Sequence, residues 1–397
     1  MNNLPKLFIR FEDLEISLIA GHYDDKHNFV LLEKLILQND GINKNRILDI
    51  DKIQIQIKRN VLMIEQKINY TFKEIIIILN NLETSFLNFC GFKKLNGTQI
   101  SKENITYILN SLKSSVNEFE RNKIILHIFN TEYCLDKKKL DNLPIGLFGD
   151  FYSHELSFNL INKNDYKNLE NIFKKCNLKI KKILLESFVI GSLINDNNPK
   201  IETFFYIQIK DNNSKLFYVE NNAVKFEQNF NFGTEIIVND ISKITSLENR
   251  SIKNIISQNE NISKISDEEL LEKKYFKIQQ YRKIKKNLIT KIAEARIDEL
   301  SEKFYLKNIN LKKLLNKTNV IFLEIDDKQH LNCFSHAYKD SFSHKNKYEI
   351  KMIKKPEIGQ IIDKANNIVQ FGWKKEAIPV TRSKKSLINR IFQAIFQ

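Results

Sequence analysis

The sequence predicts an α/β protein in which mixed β-sheets are flanked by helices. Strand-like segments with alternating apolar residues are interleaved with longer amphipathic segments in the first half of the chain. Three strand-like segments then follow one another over 202–230, and a Lys/Glu-rich helical stretch occupies about 250–315. The length of 397 residues suffices for two or three domains with cores of their own.

In the first half, strands are predicted from β-branched and aromatic content, and helices from apolar residues spaced three and four apart. The predicted strands are 6–21, 27–37, 73–79, 123–129 and 181–191. The predicted helices are 50–70, 101–119 and 164–178. The second helix has Ser101 as its N-cap and Glu103 in its first turn, which is typical of a helix start.

The second half begins with the predicted strands 202–210, 214–222 and 223–230, which are separated by Asn–Asn pairs typical of turns. After the helical stretch, 319–326 is apolar and rich in β-branched residues, and it predicts a buried strand.

The glycine content disfavours most nucleotide enzymes. Only ten residues are glycine, no two are adjacent, and no two are separated by a single residue. A loop that wraps its backbone around a phosphate needs clustered glycines for close approach. Walker A, G-x-G-x-x-G and Gly-Gly phosphate hairpins are therefore absent.

Metal, thiol and nucleophilic chemistry are also disfavoured, so no catalytic or metal residue is predicted. The four cysteines include no C-x-x-C pair, and the seven histidines form no H-E-x-x-H motif. No motif places a nucleophile or carboxylate beside His127 or His154, which are interpreted as structural. The acidic pair Asp326–Asp327 lacks EF-hand spacing and is interpreted as a solvated loop.

The net charge of +15 is weak evidence for nucleic-acid binding, because the excess of Asn, Ile and Lys is typical of an AT-rich genome. The basic stretch Lys273–Arg296 carries interleaved aromatic residues. It favours a solvated helix face first, a protein-partner surface second and nucleic acid last. The N-terminus has no apolar signal-peptide core, and no apolar run reaches the ~18 residues that a membrane span needs.

The C-terminal segment 386–397 predicts an amphipathic helix after a basic linker, 373–385. On a helical wheel the large apolar residues fall within an arc of about 180°, and the polar residues and Ala394 occupy the rest. Such an arc beside Lys and Arg is typical of a helix that lies on an anionic membrane surface. The predicted membrane-binding residues are Lys384, Lys385, Leu387, Ile388, Arg390, Ile391, Phe392, Ile395 and Phe396.

The order of motifs resembles FtsA, the family of actin-like bacterial cell division proteins that tether FtsZ filaments to the membrane. The most specific stretch is Leu126–Gly149, where Leu-His, Glu-Tyr, Asp and Pro-x-Gly-x-x-Gly follow one another at the family's spacing. The segment FGTEIIVNDIS is similar to the family's Gly-Gly-Asp-His-x-Thr-Asn-Asp-Ile, and Ala295–Phe304 matches a helix of its second half. The terminal KKSLINRIFQAIFQ resembles the family's membrane helix.

The resemblance implies an actin-like, ribonuclease H-like fold of two lobes, with an inserted α+β subdomain of the SHS2 type and a C-terminal amphipathic helix. The implied parts are a first core subdomain (1–85 with 163–195), the insert (86–162), a second core subdomain (196–245 with 310–372), a helical FtsZ-binding subdomain (246–309), a basic linker (373–385) and a membrane helix (386–397).

The chain departs from the family at the three loops that bind ATP with Mg²⁺ there. The family's glycines are missing from all three, and two gain carboxylates where phosphate oxygens would lie. We therefore expect no cofactor and a pseudo-ATPase. The residues at the degenerate loops are Arg10, Glu12, Glu15, Gln208, Lys210, Asp211, Gly233, Glu324 and Asp326.

The resemblance further implies a non-enzymatic scaffold on the cytoplasmic side of the bacterial inner membrane, at the division site. Its implied partners are the FtsZ C-terminal peptide, anionic lipids, copies of itself and other divisome proteins, without nucleic acid. The peptide is expected to contact Lys286, Leu288, Lys291, Ile292 and Arg296.

Two other interpretations stay open. One is an actin-like ATPase that binds nucleotide as an ordinary family member does. The other is an actin-like type IV pilus assembly protein, although the amphipathic C-terminus and the Leu126–Gly149 motif favour the cell-division interpretation.

Overall fold

The computed structural model describes residues 4–12, 15–25, 29–39, 41–43, 46–80, 82–258, 269–276, 280–344 and 347–377. Contacts divide the chain into two units, each with its own five-stranded sheet. Unit 1 comprises Met1–Lys200, Glu220–Lys225 and Pro356–Gln397. Unit 2 comprises Ile201–Val219 and Phe226–Lys355.

Unit 1 contains most of the strands. They are β1 (Lys6–Phe11), β2 (Glu15–Tyr23), β3 (Phe29–Gln38), β4 (Ile42–Asn43), β5 (Arg46–Ile47), β6 (Glu74–Leu79), β7 (Thr84–Lys94), β8 (Lys123–Leu135), β9 (Lys138–Leu140), β10 (Phe151–Asn162) and β11 (Lys179–Leu185). The first helices are α1 (Ile50–Ile68), α2 (Lys102–Phe119), α3 (Lys163–Lys175) and α4 (Glu186–Asn197).

Unit 2 contains a second sheet and its covering helices. Its strands are β12 (Phe204–Ile209), β13 (Ser214–Glu220), β14 (Ala223–Phe230), β15 (Val320–Ile325) and β16 (Glu349–Ile353). Its helices are α5 (Glu235–Thr245), α6 (Asn249–Gln258), α7 (Lys286–Ser301) and α8 (Lys328–Ser343). The last described helix, α9 (Ile358–Phe371), packs against α4 and belongs to unit 1, whereas the resemblance implies that 310–372 is part of the second core subdomain.

The two sheets have the same strand order. In unit 1 it is β11-β6-β1-β2-β3, and in unit 2 it is β16-β15-β12-β13-β14. In each, the first strand (β1 or β12) forms an antiparallel hairpin with the next strand and lies parallel to a later strand (β6 or β15) on its other side. The parallel strands β6 and β15 lie inside the sheets, which explains their continuous apolar sequences.

Helix ends follow local signals in the sequence. The side chain of Asp49 caps α1 by accepting a hydrogen bond from the Lys52 amide (2.9 Å). Ser101 caps α2, as predicted, by accepting a hydrogen bond from the Asn104 amide (3.3 Å). The buried residues of α1 are Ile53, Ile57, Val61 and Ile64, spaced three and four apart on one face.

Residues 84–162 form a separate antiparallel sheet of order β7-β10-β8-β9, with α2 packed against it. The elements of this part follow one another as β7, α2, β8, β9 and β10. The turn between β8 and β9 places Asp136 and Lys137 in the left-handed region. The Asp136 carboxylate accepts hydrogen bonds from the amides of Asp150 (2.9 Å) and Phe151 (2.8 Å), so it fastens the end of the Leu126–Gly149 motif to β10.

The predicted α/β class with mixed sheets is confirmed, but the prediction of one strand over 181–191 is wrong. Strand β11 ends at Leu185, and α4 begins at Glu186. Every residue of 186–192 is buried, and a fully buried helix shows no amphipathic period that would distinguish it from a strand. No described helix combines the length and apolarity needed to cross a bilayer.

Candidate functional site

The hairpin of β1 and β2 in unit 1 carries the first predicted nucleotide loop, and an ion-pair cluster fills it. The Arg10 guanidinium donates to both carboxylate oxygens of Glu186, at 2.5 and 3.2 Å, and lies 2.8 Å from the Glu12 carboxylate. Arg10 is 6% exposed and Glu186 is 2% exposed. Glu15, the third predicted residue of this loop, is exposed at the start of β2.

Fold geometry brings the members of this cluster together across 176 residues of sequence. Arg10 lies on β1, whereas Glu186 lies in the first turn of α4. A helix N-terminus attracts anions because its first amides are unpaired. In this unit the anion in the first turn of α4 is the protein's own Glu186 carboxylate.

The hairpin of β12 and β13 in unit 2 carries the second predicted loop and closes on backbone contacts. The Lys210 amide donates to the Asn213 carbonyl (3.0 Å), as in a tight hairpin. The Lys210 carbonyl accepts from the Thr234 amide, and the Asp211 carbonyl accepts from the Glu235 amide, both at 2.9 Å. The amides that precede and open α5 are therefore already paired with hairpin carbonyls.

Gly233 makes this close approach possible. A β-carbon at Gly233 would lie 1.9 Å from the Lys210 carbonyl oxygen and 2.6 Å from that of Asp211. These contacts are with backbone, which cannot move aside as a flexible side chain can. Gly233 thus serves helix-to-hairpin packing.

The third predicted loop follows β15, and its Glu324 side chain is fully buried. Its carboxylate accepts hydrogen bonds from the Tyr206 hydroxyl (2.5 Å) and the Gln208 amide (2.7 Å). Burial raises the pKa of Glu324 above its usual range, and the hydrogen bonds from Tyr206 and Gln208 only partly oppose this. Asp326, two residues on, pairs with Lys355 at 2.9 Å.

Within the described part of the chain, no group of three or more His, Cys, Asp or Glu is arranged to hold a metal ion. The residues the structure does bring together are acids paired with an arginine, a lysine, a tyrosine or a glutamine, which satisfy one another's charge and hydrogen bonds.

The five residues expected to contact a peptide lie on α7 of unit 2, and the structure divides them. Lys291 and Leu288 are exposed, the latter at 39%. Ile292 is 9% exposed and belongs to the core of unit 2. A peptide could therefore contact Leu288 and Lys291 directly, whereas Ile292 supports the helix from below.

The two remaining cations of α7 are engaged within unit 2. Arg296 pairs with Asp240 and, at 2.5 Å, with Glu299. Lys286 pairs with Glu269, and its side chain is largely buried. An acidic peptide would have to compete with these partners for the two cations. Glu299 lies three residues from Arg296, a spacing at which a helical ion pair is expected, but Asp240 and Glu269 are too distant in sequence for any spacing to indicate the pairing.

A buried ion-pair cluster in unit 1 lies outside every site that the sequence predicts. Glu376 lies in the segment predicted to be a linker, yet its side chain is 2% exposed. Its carboxylate contacts the imidazole of His127 (2.9 Å) and the ammonium group of Lys182 (2.7 Å). Glu376 is the only acidic residue in 373–397, and a single acid within a basic segment could have indicated a buried ion pair.

The nine predicted membrane-binding residues, which fall between Lys384 and Phe396, lie outside the described residues.

Of three comparisons with known proteins, only the one with solved structures finds similar proteins. No protein-family model matches the chain. No curated protein sequence matches it. Among solved structures, it is similar to the PilM–PilN type IV pilus biogenesis complex, with a TM-score of 0.54 and 9% identity over 93% of this chain and 99% of that chain.

Two further structures show lower similarity. MreB5 of Spiroplasma citri bound to AMPPNP gives a TM-score of 0.45 and 11% identity, covering 91% of this chain and 96% of that one. The ethanolamine utilization protein EutJ from Carboxydothermus hydrogenoformans gives 0.43 and 8%, covering 94% and 91%. The chain has the actin-like ATPase fold that the resemblance implies.

Proposed function

We propose that this protein is a non-enzymatic scaffold of actin-like fold that tethers FtsZ filaments to the cytoplasmic face of the bacterial inner membrane at the division site. The observation that carries the scaffold part is the filling of the predicted nucleotide loops by the protein's own side chains and backbone contacts. The family assignment depends on the order of motifs around Leu126–Gly149 and on the amphipathic C-terminus.

Each unit has contacts of its own that oppose nucleotide binding. In unit 1, the resemblance puts phosphate oxygens near Glu12, and like charges about 4 Å apart repel by about 1 kcal/mol even in water. The Arg10 guanidinium in the same loop is already paired with the carboxylates of Glu12 and Glu186. In unit 2, the amides at the start of α5 donate to Lys210 and Asp211 carbonyls, so they are not available to a phosphate. We therefore propose a pseudo-ATPase that needs neither ATP nor Mg²⁺.

Membrane attachment is proposed to come from 386–397 and the basic residues before it. Partial burial of its six large apolar residues contributes several kcal/mol, and each nearby Lys or Arg contributes about 1 kcal/mol on an anionic surface. The FtsZ peptide is proposed to dock on α7 beside Leu288 and Lys291, while copies of the protein and other divisome proteins use other surfaces. No role for nucleic acid is proposed.

A type IV pilus assembly protein is the second candidate, because the chain is similar in fold to a protein of the PilM–PilN complex. The two candidates differ in partner chemistry, which makes peptide capture the deciding experiment. An immobilised FtsZ C-terminal peptide should retain the full chain, and a PilN peptide should not. Retention by the PilN peptide alone would replace the first candidate with the second.

Matched variants locate the two contacts. Lys291→Glu should weaken FtsZ-peptide capture by about tenfold, since a charge reversal beside an acidic partner costs about 1–3 kcal/mol. Lys313→Glu, an exposed charge reversal elsewhere in unit 2, should leave FtsZ-peptide capture unchanged.

The membrane contact is tested by sedimentation with anionic liposomes at about 0.15 M salt. Ile391→Glu with Phe392→Glu should abolish sedimentation, because it puts charge on the apolar face. Asn389→Glu with Gln393→Glu adds the same charge on the polar face and should still sediment. Equal sedimentation of both double variants would refute the membrane assignment.

A further inference from the structure

The first five residues of the predicted linker, Trp373–Ala377, pack against the rest of unit 1. The Asn130 amide donates to the Lys375 carbonyl and the Ala377 amide donates to the Ile128 carbonyl, both at 2.7 Å. Phe129 and Glu376 are thus paired as antiparallel strand partners. The segment extends the edge of β8 at a point that β9, which pairs only with 133–135, leaves uncovered.

The Glu376 side chain joins two different sheets of unit 1. His127 lies on β8 of the insert, and Lys182 lies on β11 of the central sheet. Both contact the same carboxylate, and all three side chains are 7% exposed or less. Although burial alone would raise the pKa of Glu376, the hydrogen bond from His127 and the hydrogen bond and charge of Lys182 hold it below its usual value. Burial lowers the pKa of His127 itself, so its imidazole contacts Glu376 as a neutral hydrogen-bond donor at neutral pH.

A third contact fixes the other end of the segment. The Trp373 indole donates to the Asn222 carbonyl (3.0 Å), and its ring packs edge-on against Phe188. The ammonium group of Lys364 lies 4.6 Å from the centre of the indole ring. The preceding residue, Gly372, ends α9 with φ of +77°, a conformation that glycine adopts without strain.

We propose that Trp373–Ala377 is a strap that docks permanently on β8 and fixes the point at which the tail leaves unit 1. The consequence for the membrane rests on the proposed function. From Ala377 to residue 386 the chain spans at most about 30 Å, whereas from Gly372 it would span about 50 Å. Docking therefore holds the insert close to the bilayer and removes about 20 Å of reach.

The test in solution uses Trp373, the only tryptophan of the chain. In the full chain without lipid, Trp373 emission should be blue-shifted and several-fold less quenched by acrylamide than a free indole. Glu376→Gln should raise the quenching constant several-fold, because it leaves the buried Lys182 ammonium without its carboxylate. Lys374→Gln, at an exposed residue of the same segment, should change nothing.

Two measurements keep the proposal open to refutation if Glu376→Gln loses structure. Adding Lys182→Met to that variant removes the unpaired cation and should restore protection of Trp373. Hydrogen exchange of the Asn130 and Ala377 amides in the unmodified protein should be slow. Free quenching of Trp373 or fast exchange of both amides in the unmodified protein would overturn the strap.

Liposomes separate the strap from the membrane function. On anionic vesicles that contain bromolipids, Trp373 of the unmodified protein should stay unquenched while the protein sediments. Trp373 of Glu376→Gln should be quenched, because a released indole prefers the membrane interface. Quenching in the unmodified protein would show that the strap leaves β8 on the membrane. Failure to sediment would refute the membrane tail and leave the solution result intact.

Discussion

The hairpins that open the two sheets occupy the same position in the same strand order, yet they are filled by opposite chemistry. In unit 1 the side chain on β1 is Arg10, held by two carboxylates. In unit 2, Gln208 on β12 and the neighbouring Tyr206 hold one buried acid, Glu324. One site is stabilised by ion pairing, and the other by hydrogen bonds to an acid whose pKa burial has raised.

The difference shows that a glycine-poor loop has more than one stable replacement. A buried charge is tolerated when it has a partner of opposite sign in good geometry, as Arg10 has in the two oxygens of Glu186. The hydrogen-bond donors to Glu324 are the neutral side chains of Tyr206 and Gln208, and burial raises the pKa of this carboxyl above its usual range. The two units should therefore respond differently to removal of a side chain.

The largest effect is expected in unit 1. Arg10→Met should lower the free energy of unfolding by about 3–5 kcal/mol, because Glu12 and Glu186 would face each other without the guanidinium. Urea denaturation followed by circular dichroism measures this. Glu15→Gln, an exposed change in the same hairpin, should stay within about 0.5 kcal/mol. Equal midpoints for both variants would contradict the ion-pair account.

A smaller effect is expected from backbone crowding in unit 2. Gly233→Ala should cost about 1–3 kcal/mol, since its methyl group would overlap the Lys210 carbonyl oxygen. Gly359→Ala is the control, because nothing lies within 4 Å of a β-carbon there. If both alanine variants denature at the same urea concentration, Gly233 does not set the approach of α5 to the hairpin.

A still smaller effect, with a characteristic pH dependence, is expected at Glu324. Glu324→Gln should change stability by less than about 1 kcal/mol at pH 7, because Tyr206 and Gln208 can each donate or accept a hydrogen bond. The pKa of Glu324 is higher in the folded state than its ordinary value of 4.5 in the unfolded chain. This difference stabilises the folded state fully at pH values below 4.5, and the stabilisation is lost as the pH rises through the folded-state pKa. The variant should therefore gain stability relative to the unmodified protein between pH 4 and pH 7. A constant difference across that range would show that Glu324 keeps an ordinary pKa.

The contrast between the sites also explains what the sequence could predict. Helices α1 and α2 and the two strands of the β12–β13 hairpin were predictable because capping and periodicity are local signals. The sequence predicts a single strand over 6–21, and this prediction is wrong, because the structure has the antiparallel β1–β2 hairpin there. The partner of Arg10 lies 176 residues away, and Tyr206 and Gln208 lie 118 and 116 residues from Glu324. No local pattern relates such residues, so the sequence does not indicate which side chains contact Arg10 and Glu324. The end of β11 at Leu185 was missed for a different reason, since burial on all sides hides the period of α4.

The last prediction is that Mg-ATP has no effect on stability, and it tests the predicted nucleotide loops of both units in one experiment. Millimolar Mg-ATP should not move the melting temperature, because a ligand that does not bind cannot stabilise the folded state. A dissociation constant of about 10 μM would add about 2.7 kcal/mol at 1 mM ATP, which corresponds to a shift of several degrees and is easily measured. A nucleotide-binding actin-like protein run in parallel verifies the assay. If the unmodified protein shifts, Arg10→Met and Gly233→Ala identify the unit responsible by which of them abolishes the shift. Any shift would refute the pseudo-ATPase proposal. A shift that either variant abolishes would also show that a filled loop still admits nucleotide, whereas one that survives both would place the nucleotide away from both hairpins.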